Sequence, residues 1–263
     1  MPDTQAMDRI RLILFDCDGT LMNSHHHIIR VMQLAFAEHA LPQPSVTAVS
    51  AVVGLSLSTA VQQLLSGKEA ELTAAVTETY RRLYRDLPGD YVLYAGVRET
   101  LDALKGRGYW LGVVTGKSHA GLQRVLAEFA LAHYFLVMRT ADHCPSKPHP
   151  AMVNECMREM GVGSAQTTVI GDTALDMQMA CASGTKGLGV SFGVADHATL
   201  FEAGAAHVVD HFFRTSGALS ALAATAPITH DAVMNISAKK TVRYSLIFLA
   251  VVCALLVAAP LLY

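Results

Sequence analysis

Charged side chains are scarce in this sequence, and hydrophobic ones are abundant. Of 263 residues only 16% are charged and 52% are hydrophobic, and the formal net charge is -2. A chain of this composition and length can bury a sizeable core, which excludes an intrinsically disordered protein. It also lacks the basic excess that binds phosphate backbones, so we expect no nucleic acid among its partners.

Cysteines are few, and the N-terminus has no export signal. The five cysteines are irregularly spaced and form no CxxC or CxxH arrangement, so they do not suggest a structural zinc site. Reduced thiols in the cytoplasm are the simplest interpretation. The first ten residues, MPDTQAMDRI, are polar and carry both signs of charge, unlike a secretory signal. We therefore expect the protein not to be secreted.

A long uncharged run lies at the other end of the sequence. Residues 245–263 read SLIFLAVVCALLVAAPLLY, and 17 of these 19 residues are apolar. A helix of this length extends about 28 Å, close to the roughly 30 Å hydrocarbon thickness of a bilayer. Lys239, Lys240 and Arg243 precede it, which places the preceding domain in the cytoplasm. We predict a single-pass membrane anchor after a linker over residues 215–243; a buried or interfacial helix is the alternative.

Short apolar runs alternate with helical patterns along most of the chain. The apolar runs, which suit buried parallel strands, are residues 11–15, 110–115, 134–138, 168–170 and 187–190. The helical patterns between them cover residues 97–105, 119–129, 151–160 and 175–182. This alternation predicts an α/β fold with a doubly wound parallel sheet. In such sheets ligands bind beyond the carboxyl ends of the strands, where the polar residues of this sequence gather.

One stretch interrupts the alternation. From residue 22 to residue 90 the pattern is helical, without a convincing strand. We predict a small inserted α-helical cap domain over residues 22–90, with the core domain formed by residues 1–21 and 91–214.

Two carboxylates follow the first predicted strand directly. Residues 16–21 read DCDGTL, so Asp16 and Asp18 lie two residues apart on a loop that Gly19 allows to turn sharply. Both side chains can face one site, where one carboxylate attacks and the other transfers protons. A simple turn or helix cap is the alternative for an isolated Asp-x-Asp pair.

A second acidic cluster, GDTALD at residues 171–176, follows a later apolar run. Asp172 lies at the end of the predicted strand, and Asp176 is carried by the same loop or the start of the next helix. Oxygen ligands from carboxylates, substrate phosphate and water are typical of Mg²⁺. Asp172 as a helix N-cap is the alternative.

Two smaller motifs have residue types that bind phosphate. Residues 115–118 (TGKS) follow the second strand, and Ser146-Lys147-Pro148 precedes a helix. A hydroxyl and backbone N–H groups at a helix start bind phosphate oxygens, and a lysine adds a positive charge. For Lys117 a solvated position at the helix start is the favoured interpretation, whereas Lys147 lies in a loop otherwise poor in charge.

The four motifs, in this order, resemble those of the haloacid dehalogenase superfamily of phosphohydrolases. Within it, the runs VVTGKSHAGL, SKPHPAM and VIGDTALDM are similar to motifs of the phosphoglycolate phosphatase group, whose members have a helical cap inserted after the first motif. The resemblance extends to around residue 210. It implies a Rossmann-like core and a Mg²⁺-dependent phosphatase that acts on a small phosphorylated metabolite.

The resemblance also implies a role for each motif. Asp16 would be the nucleophile that forms an aspartyl-phosphate, and Asp18 the general acid and then the general base. Thr115 and Lys147 would hold the phosphoryl oxygens. Further residues expected against the substrate or its phosphate are Gly19, Thr20, Gly116 and Ser56.

The same resemblance assigns the metal to the acidic residues. Mg²⁺ would be bound by Asp16, the backbone carbonyl of Asp18 and Asp172. Asp176 would orient metal-bound water or Lys147.

Several alternatives remain open from the sequence. A phosphomutase of the same fold would return the phosphoryl group to a sugar phosphate, although Leu21, where mutases of this group tend to have Val or Ile, favours a hydrolase. Pyrophosphate or a nucleotide is an alternative substrate, and a membrane-tethered binding module is the non-enzymatic alternative. The oligomeric state is not indicated.

Three consecutive histidines, residues 25–27, could suggest a metal site. Consecutive residues on a helix point about 100° apart, however, and cannot share one tetrahedral ion. We interpret them as solvated residues or part of a cap hinge.

Overall fold

A computed structural model describes residues 10–66, 70–87, 89, 91–215 and 217–219. The predicted membrane anchor, residues 245–263, lies outside these ranges. Within them, no helix combines the length and hydrophobicity needed to cross a bilayer.

Strands and helices alternate along the core as predicted. The described strands are β1 (Leu12–Phe15), β2 (Met22–Asn23), β3 (Val92–Leu93), β4 (Trp110–Thr115), β5 (Phe135–Thr140), β6 (Thr167–Gly171), β7 (Lys186–Val190) and β8 (His207–Val209). The described α-helices are α1 (His25–Glu38), α2 (Val46–Ser50), α3 (Leu57–Leu64), α4 (Ala70–Asp86), α5 (Val97–Gly106), α6 (His119–Glu128), α7 (Ala151–Met160), α8 (Ala174–Ala182) and α9 (His197–Glu202).

Six of these strands form one parallel sheet. Its order is β5-β4-β1-β6-β7-β8, so successive strands run outward from β1 first to one edge and then to the other. The strand order therefore reverses at β1, which is where doubly wound sheets bind their ligands. The predicted α/β fold is confirmed.

The side chains of β1 show why the sheet is covered on both faces. All four residues are fully buried, and successive side chains of a strand point to opposite faces. Ile13 and Phe15 belong to a core cluster with residues of α5 and α6. Leu12 and Leu14 belong to another, with residues of α7 and α8. A continuous apolar run is therefore required here, because neither face contacts water.

Helices α1 to α4 form the insert between the first two core strands. They share a hydrophobic cluster of their own, which includes Val31, Phe36, Val61 and Val76. Where the chain enters and leaves the insert, β2 and β3 pair as a short antiparallel ribbon. The sequence had indicated no strand in this stretch, since two residues are too few to show a period.

The end of the described chain differs from the predicted linker. Thr215 and Leu219 are fully buried, and Leu219 belongs to the same core cluster as Phe15. Thr215, Ala218 and Leu219 thus pack on the core, although the linker was predicted from residue 215. Strand β8, which precedes this segment, was also not predicted.

Candidate active site

The candidate site lies at the carboxyl ends of three neighbouring strands. Asp16 follows β1, Thr115 is the last residue of β4, and Asp172 follows β6. Each of these side chains is almost completely buried, with at most 1% of its surface exposed. Parallel pairing brings together residues that are far apart in sequence, because parallel strands end at the same edge of the sheet.

Lys147 forms the centre of a buried ionic group. Its Nζ lies 2.7 Å from Oδ1 of Asp16 and 2.6 Å from Oδ1 of Asp176. Burial alone would lower the pKa of Lys147, but the two carboxylates outweigh this effect and raise it, so the amine stays protonated. Asp176 is held from its other side, where the backbone N–H and hydroxyl of Thr173 donate to Oδ2 at 3.1 and 2.6 Å.

Asp172 is fixed by the loop that carries the first motif. The hydroxyl of Thr20 donates to its Oδ1 at 2.8 Å, and the N–H of Val194 donates to its Oδ2 at 2.9 Å. Gly19 has a φ of +78°, and a Cβ there would lie 2.0 Å from Oδ2 of Asp172. Only glycine allows the loop to approach so closely. Gly19 and Thr20 were predicted to lie next to the substrate phosphate. In the structure both lie close to the carboxylate of Asp172.

The acidic cluster carries more negative charge than Lys147 can balance. Carboxylate oxygens of Asp16, Asp172 and Asp176 lie within 4.8 Å of one another. Burial raises the pKa of Asp16 to about 7, an effect that Lys147 opposes and Asp176 increases. Burial also raises the pKa of Asp172, with the charges of Asp16 and Asp176 adding to the shift.

The chemistry of this cluster fits a hard divalent cation. Among the described residues, Oδ2 of Asp16 accepts no hydrogen bond although it is buried. A buried carboxylate oxygen without a partner is costly, and a cation would remove that cost. Oxygen-only donors with excess negative charge are the ligands that Mg²⁺ prefers.

Asp18 lies beside this cluster with both oxygens held separately. The hydroxyl of Ser24 donates to its Oδ1 at 2.5 Å, and Nζ of Lys117 lies 2.9 Å from its Oδ2. The carboxylate of Asp18 is not one of the three clustered carboxylates. Its predicted contribution to a metal was its backbone carbonyl, which leaves the side chain for proton transfer.

The solvated interpretation of Lys117 is wrong. Its side chain is only 9% exposed, because it turns inward to pair with Asp18. Burial lowers its pKa, but Asp18 and Tyr84 outweigh this effect and raise it well above the ordinary lysine value.

A cavity of about 300 Å³ lies between the core and the insert. The core side includes Asp16, Asp18 and Thr115, and the insert side includes Val52 and Tyr80. The candidate nucleophile and the candidate acid therefore line the same cavity.

The insert touches the core directly beside this cavity. A Cβ on Gly116 would lie 2.3 Å from the carbonyl oxygen of Leu55, so glycine is needed for the backbones to meet. The N–H of Ser56 donates to the hydroxyl of Ser146 at 2.8 Å, while the Ser56 hydroxyl caps α3. Gly116 and Ser56, expected against the substrate, both line the cavity at this contact.

The three histidines have different surroundings, as their helical spacing predicts. His27 is buried against the ring of Tyr84, with ring centroids 4.7 Å apart. The ring of His25 is within 3.0 Å of the hydroxyl of Ser50. The solvated interpretation fits only His26, which is exposed.

Comparison with known proteins connects this arrangement to phosphatases. Residues 13–190 match the model of the haloacid dehalogenase-like hydrolase family. The probable phosphatase IndB of Dickeya dadantii is 34% identical over 219 residues, which cover 80% of this chain and 94% of that protein. The phosphoglycolate phosphatase of Pasteurella multocida is 30% identical, with coverage of 78% and 96%.

Solved structures agree with these relatives. A crystal structure of a predicted phosphoglycolate phosphatase from Haemophilus somnus superimposes with a TM-score of 0.73 at 27% identity, covering 82% of this chain and 98% of that one. A predicted phosphatase from Clostridium acetobutylicum shares the fold, with a TM-score of 0.74 at 23% identity and coverage of 81% and 99%.

Fold, site and relatives together define an enzyme of the phosphatase class. The chain belongs to the haloacid dehalogenase-like hydrolase family, as its four ordered motifs predicted.

Proposed function

We propose that the protein hydrolyses a small phosphomonoester, such as phosphoglycolate, through a covalent aspartyl-phosphate on Asp16. The observation that carries this proposal is the environment of Asp16. One of its oxygens is held by Lys147, and the other is buried without a hydrogen-bond partner among the described residues. Such an oxygen is oriented but free to attack. Asp16 also lines the cavity between the core and the insert.

The chemistry proceeds in two steps. The carboxylate of Asp16 attacks phosphorus while Asp18 donates its proton to the leaving oxygen, and the P–O bond of the substrate breaks. Asp18, now a carboxylate, takes a proton from a water molecule that attacks the aspartyl-phosphate, and this releases phosphate and restores Asp16. Thr115 and Lys147 hold the phosphoryl oxygens and stabilise their charge in both transition states.

The acidic cluster is proposed to hold Mg²⁺. Asp16, Asp172 and the backbone carbonyl of Asp18 would be its ligands, with Asp176 orienting a metal-bound water or Lys147. When bound, the cation supplies positive charge that neutralises the phosphate dianion next to the carboxylates.

The cavity and the relatives support a small substrate. A volume of about 300 Å³ is at the lower end of the usual range for small-molecule pockets. Relatives from Pasteurella and Haemophilus are named phosphoglycolate phosphatases, so this compound is the first candidate.

Phosphate release by the full-length protein in detergent tests the function. We expect turnover of phosphoglycolate, or of another ester in a panel with sugar phosphates, a nucleotide and pyrophosphate. Removal of divalent cations with EDTA should lower the rate at least about 100-fold, and Mg²⁺ should restore it, because the carboxylate cluster otherwise repels the substrate. Turnover that survives removal of the metal would contradict the proposal, and an isomerised sugar phosphate without free phosphate would indicate a mutase.

We also propose that residues 245–263 anchor the protein in a membrane, with the enzyme domain in the cytoplasm. The support is the sequence run itself, 17 apolar residues of 19 after three cations. The protein should remain in the membrane fraction after a carbonate wash and leave it only with detergent.

A matched pair of substitutions tests the anchor. An arginine at the centre of a span costs about 2.5–3.5 kcal/mol, so Ala254→Arg should shift the protein to the soluble fraction, whereas Ala254→Leu should not. Release of the unaltered protein by carbonate would refute the anchor.

A further inference from the structure

The insert lines the cavity mainly with apolar side chains. Ile28 and Met32 lie four residues apart on α1, so both point to the same side of that helix. Val52 and Val53 line the cavity from the turn after α2, and Leu57 lines it from the first residue of α3. The insert wall of the cavity is therefore hydrophobic, while Asp16 belongs to the core wall.

Two of the polar groups on the insert wall already have partners. The hydroxyl of Ser56 accepts from the N–H of Thr59 as the cap of α3, and the hydroxyl of Tyr84 accepts from Nζ of Lys117 at 3.2 Å. Among the described residues that line the cavity from the insert, none is Asp, Glu, Asn, Gln or His. A sugar or a nucleoside on this wall would leave most of its hydroxyl groups without partners, which is costly.

The positive charges that line the cavity lie at exposed positions. Arg81 and Arg85 are exposed and pair with Glu78 and Asp86 at 3.4 and 3.1 Å. Arg124, on the core side, is exposed as well. Such charges attract a phosphate dianion to the site, whereas the less exposed part of the insert wall is apolar.

We infer that the substrate is the phosphate ester of an apolar alcohol, whose hydrocarbon group packs against Val52, Val53 and Leu57. This inference rests on the proposed phosphatase function and replaces glycolate by an apolar leaving group. Each methylene that moves from water onto an apolar wall favours binding by about fourfold. A carboxylate in the same place loses its hydration against a hydrophobic surface, so phosphoglycolate should be a poorer substrate.

A series of alkyl phosphates tests the inference on the full-length protein with Mg²⁺ in detergent. Methyl, ethyl, propyl and butyl phosphate release alcohols of nearly equal acidity, so differences in kcat/KM report contact with the wall. We expect kcat/KM to rise about fourfold per methylene, and at least about 30-fold from methyl to butyl phosphate.

A matched pair of substrates tests the polarity of the leaving group. Isobutyl phosphate and phosphoglycolate have leaving groups with the same number of non-hydrogen atoms and the same branching, but only the second carries a carboxylate. We expect kcat/KM to be at least about 10-fold higher for isobutyl phosphate.

Substitutions on the insert wall test which residues contact the leaving group. Val52→Thr keeps the shape of the side chain and replaces a methyl group by a hydroxyl, so the ratio of kcat/KM for butyl over methyl phosphate should fall about 5-fold. Leu57→Ala removes apolar contact instead and should lower this ratio about 3-fold. The control is Val46→Thr, since Val46 is 56% exposed on α2 and is not among the residues that line the cavity. Its ratio should stay within 2-fold, and loss of folded protein would not change the ratio in any variant.

The outcomes distinguish this inference from the proposed function. If phosphoglycolate is hydrolysed faster than isobutyl phosphate, or if kcat/KM does not rise with chain length, the inference fails and the proposed function stands. If Val52→Thr and Leu57→Ala both leave the ratio unchanged, the wall does not contact the leaving group and the inference is refuted. If none of these esters is hydrolysed, the proposed function itself fails and takes the inference with it.

Discussion

Replacing Asp16 by asparagine is expected to lower kcat/KM for every substrate by at least about 10⁴-fold. The amide has nearly the same shape but does not attack phosphorus, so no phosphoenzyme forms. The fold should survive the change, because Asp16, Asp172 and Asp176 together carry more negative charge than Lys147 balances, and Asp176 still pairs with Lys147 after the substitution. Phosphate release would measure the loss of turnover. The mass of the protein after a rapid quench would show whether a phosphoenzyme still forms.

The control for this substitution is Asp210→Asn. Asp210 is exposed at the surface and pairs with Arg214, so its loss should change neither turnover nor the thermal unfolding temperature appreciably. Turnover of Asp16→Asn within tenfold of the unaltered protein would mean that the nucleophile is another group.

Replacing Lys147 by methionine is expected to damage both activity and stability. The substitution leaves Asp16 and Asp176 buried and close together without the ammonium that now contacts both. Removing one partner of a buried ion pair typically costs about 3–5 kcal/mol in the free energy of unfolding. Activity should fall at least about 10³-fold, because the transferred phosphoryl group also loses a positive charge.

Magnesium should reverse part of the stability loss in Lys147→Met. A cation that binds the folded protein but not the unfolded chain stabilises the folded state. A cation that replaces a missing positive charge among carboxylates should stabilise it more strongly. Denaturant unfolding with and without Mg²⁺ should therefore show a larger metal effect in this variant than in the unaltered protein. Lys105→Met, at an exposed position, should change the unfolding free energy by less than about 0.5 kcal/mol. Equal metal effects in all three proteins would contradict the prediction that the cation replaces the positive charge of Lys147 among these carboxylates.

The core was predictable because its strands are covered on both faces. A parallel strand buried on two sides must be a continuous apolar run, and the run at β1 stops abruptly at Asp16. The helices α5 to α7 have strong periodicity for a related reason, since each buries one face against the sheet. Shorter elements such as β8 carry too few residues to show a period.

Lys117 shows the limit of this kind of prediction. A lysine at a helix start is usually solvated, and only the position of Asp18, which is 99 residues earlier in the chain, reveals that it is buried and paired. Leu219 is a similar case, because the Ala-rich and Ser-rich sequence around it suggests a linker, whereas its side chain is fully buried in the core cluster that contains Phe15.

The sequence by itself determined the kinds of chemistry present and their order along the chain: two carboxylates after β1, a hydroxyl after β4, a lysine before α7 and two carboxylates after β6. These are local properties, since residue type and spacing decide what each loop can contribute. Only the tertiary structure decided the pairing of these groups. Lys147 contacts Asp16 and Asp176, while Asp18 instead pairs with Lys117 under the insert. The physical reason is that the partner of a buried charge is chosen by distance and burial, and both are set by the packing of strands and helices far apart in sequence.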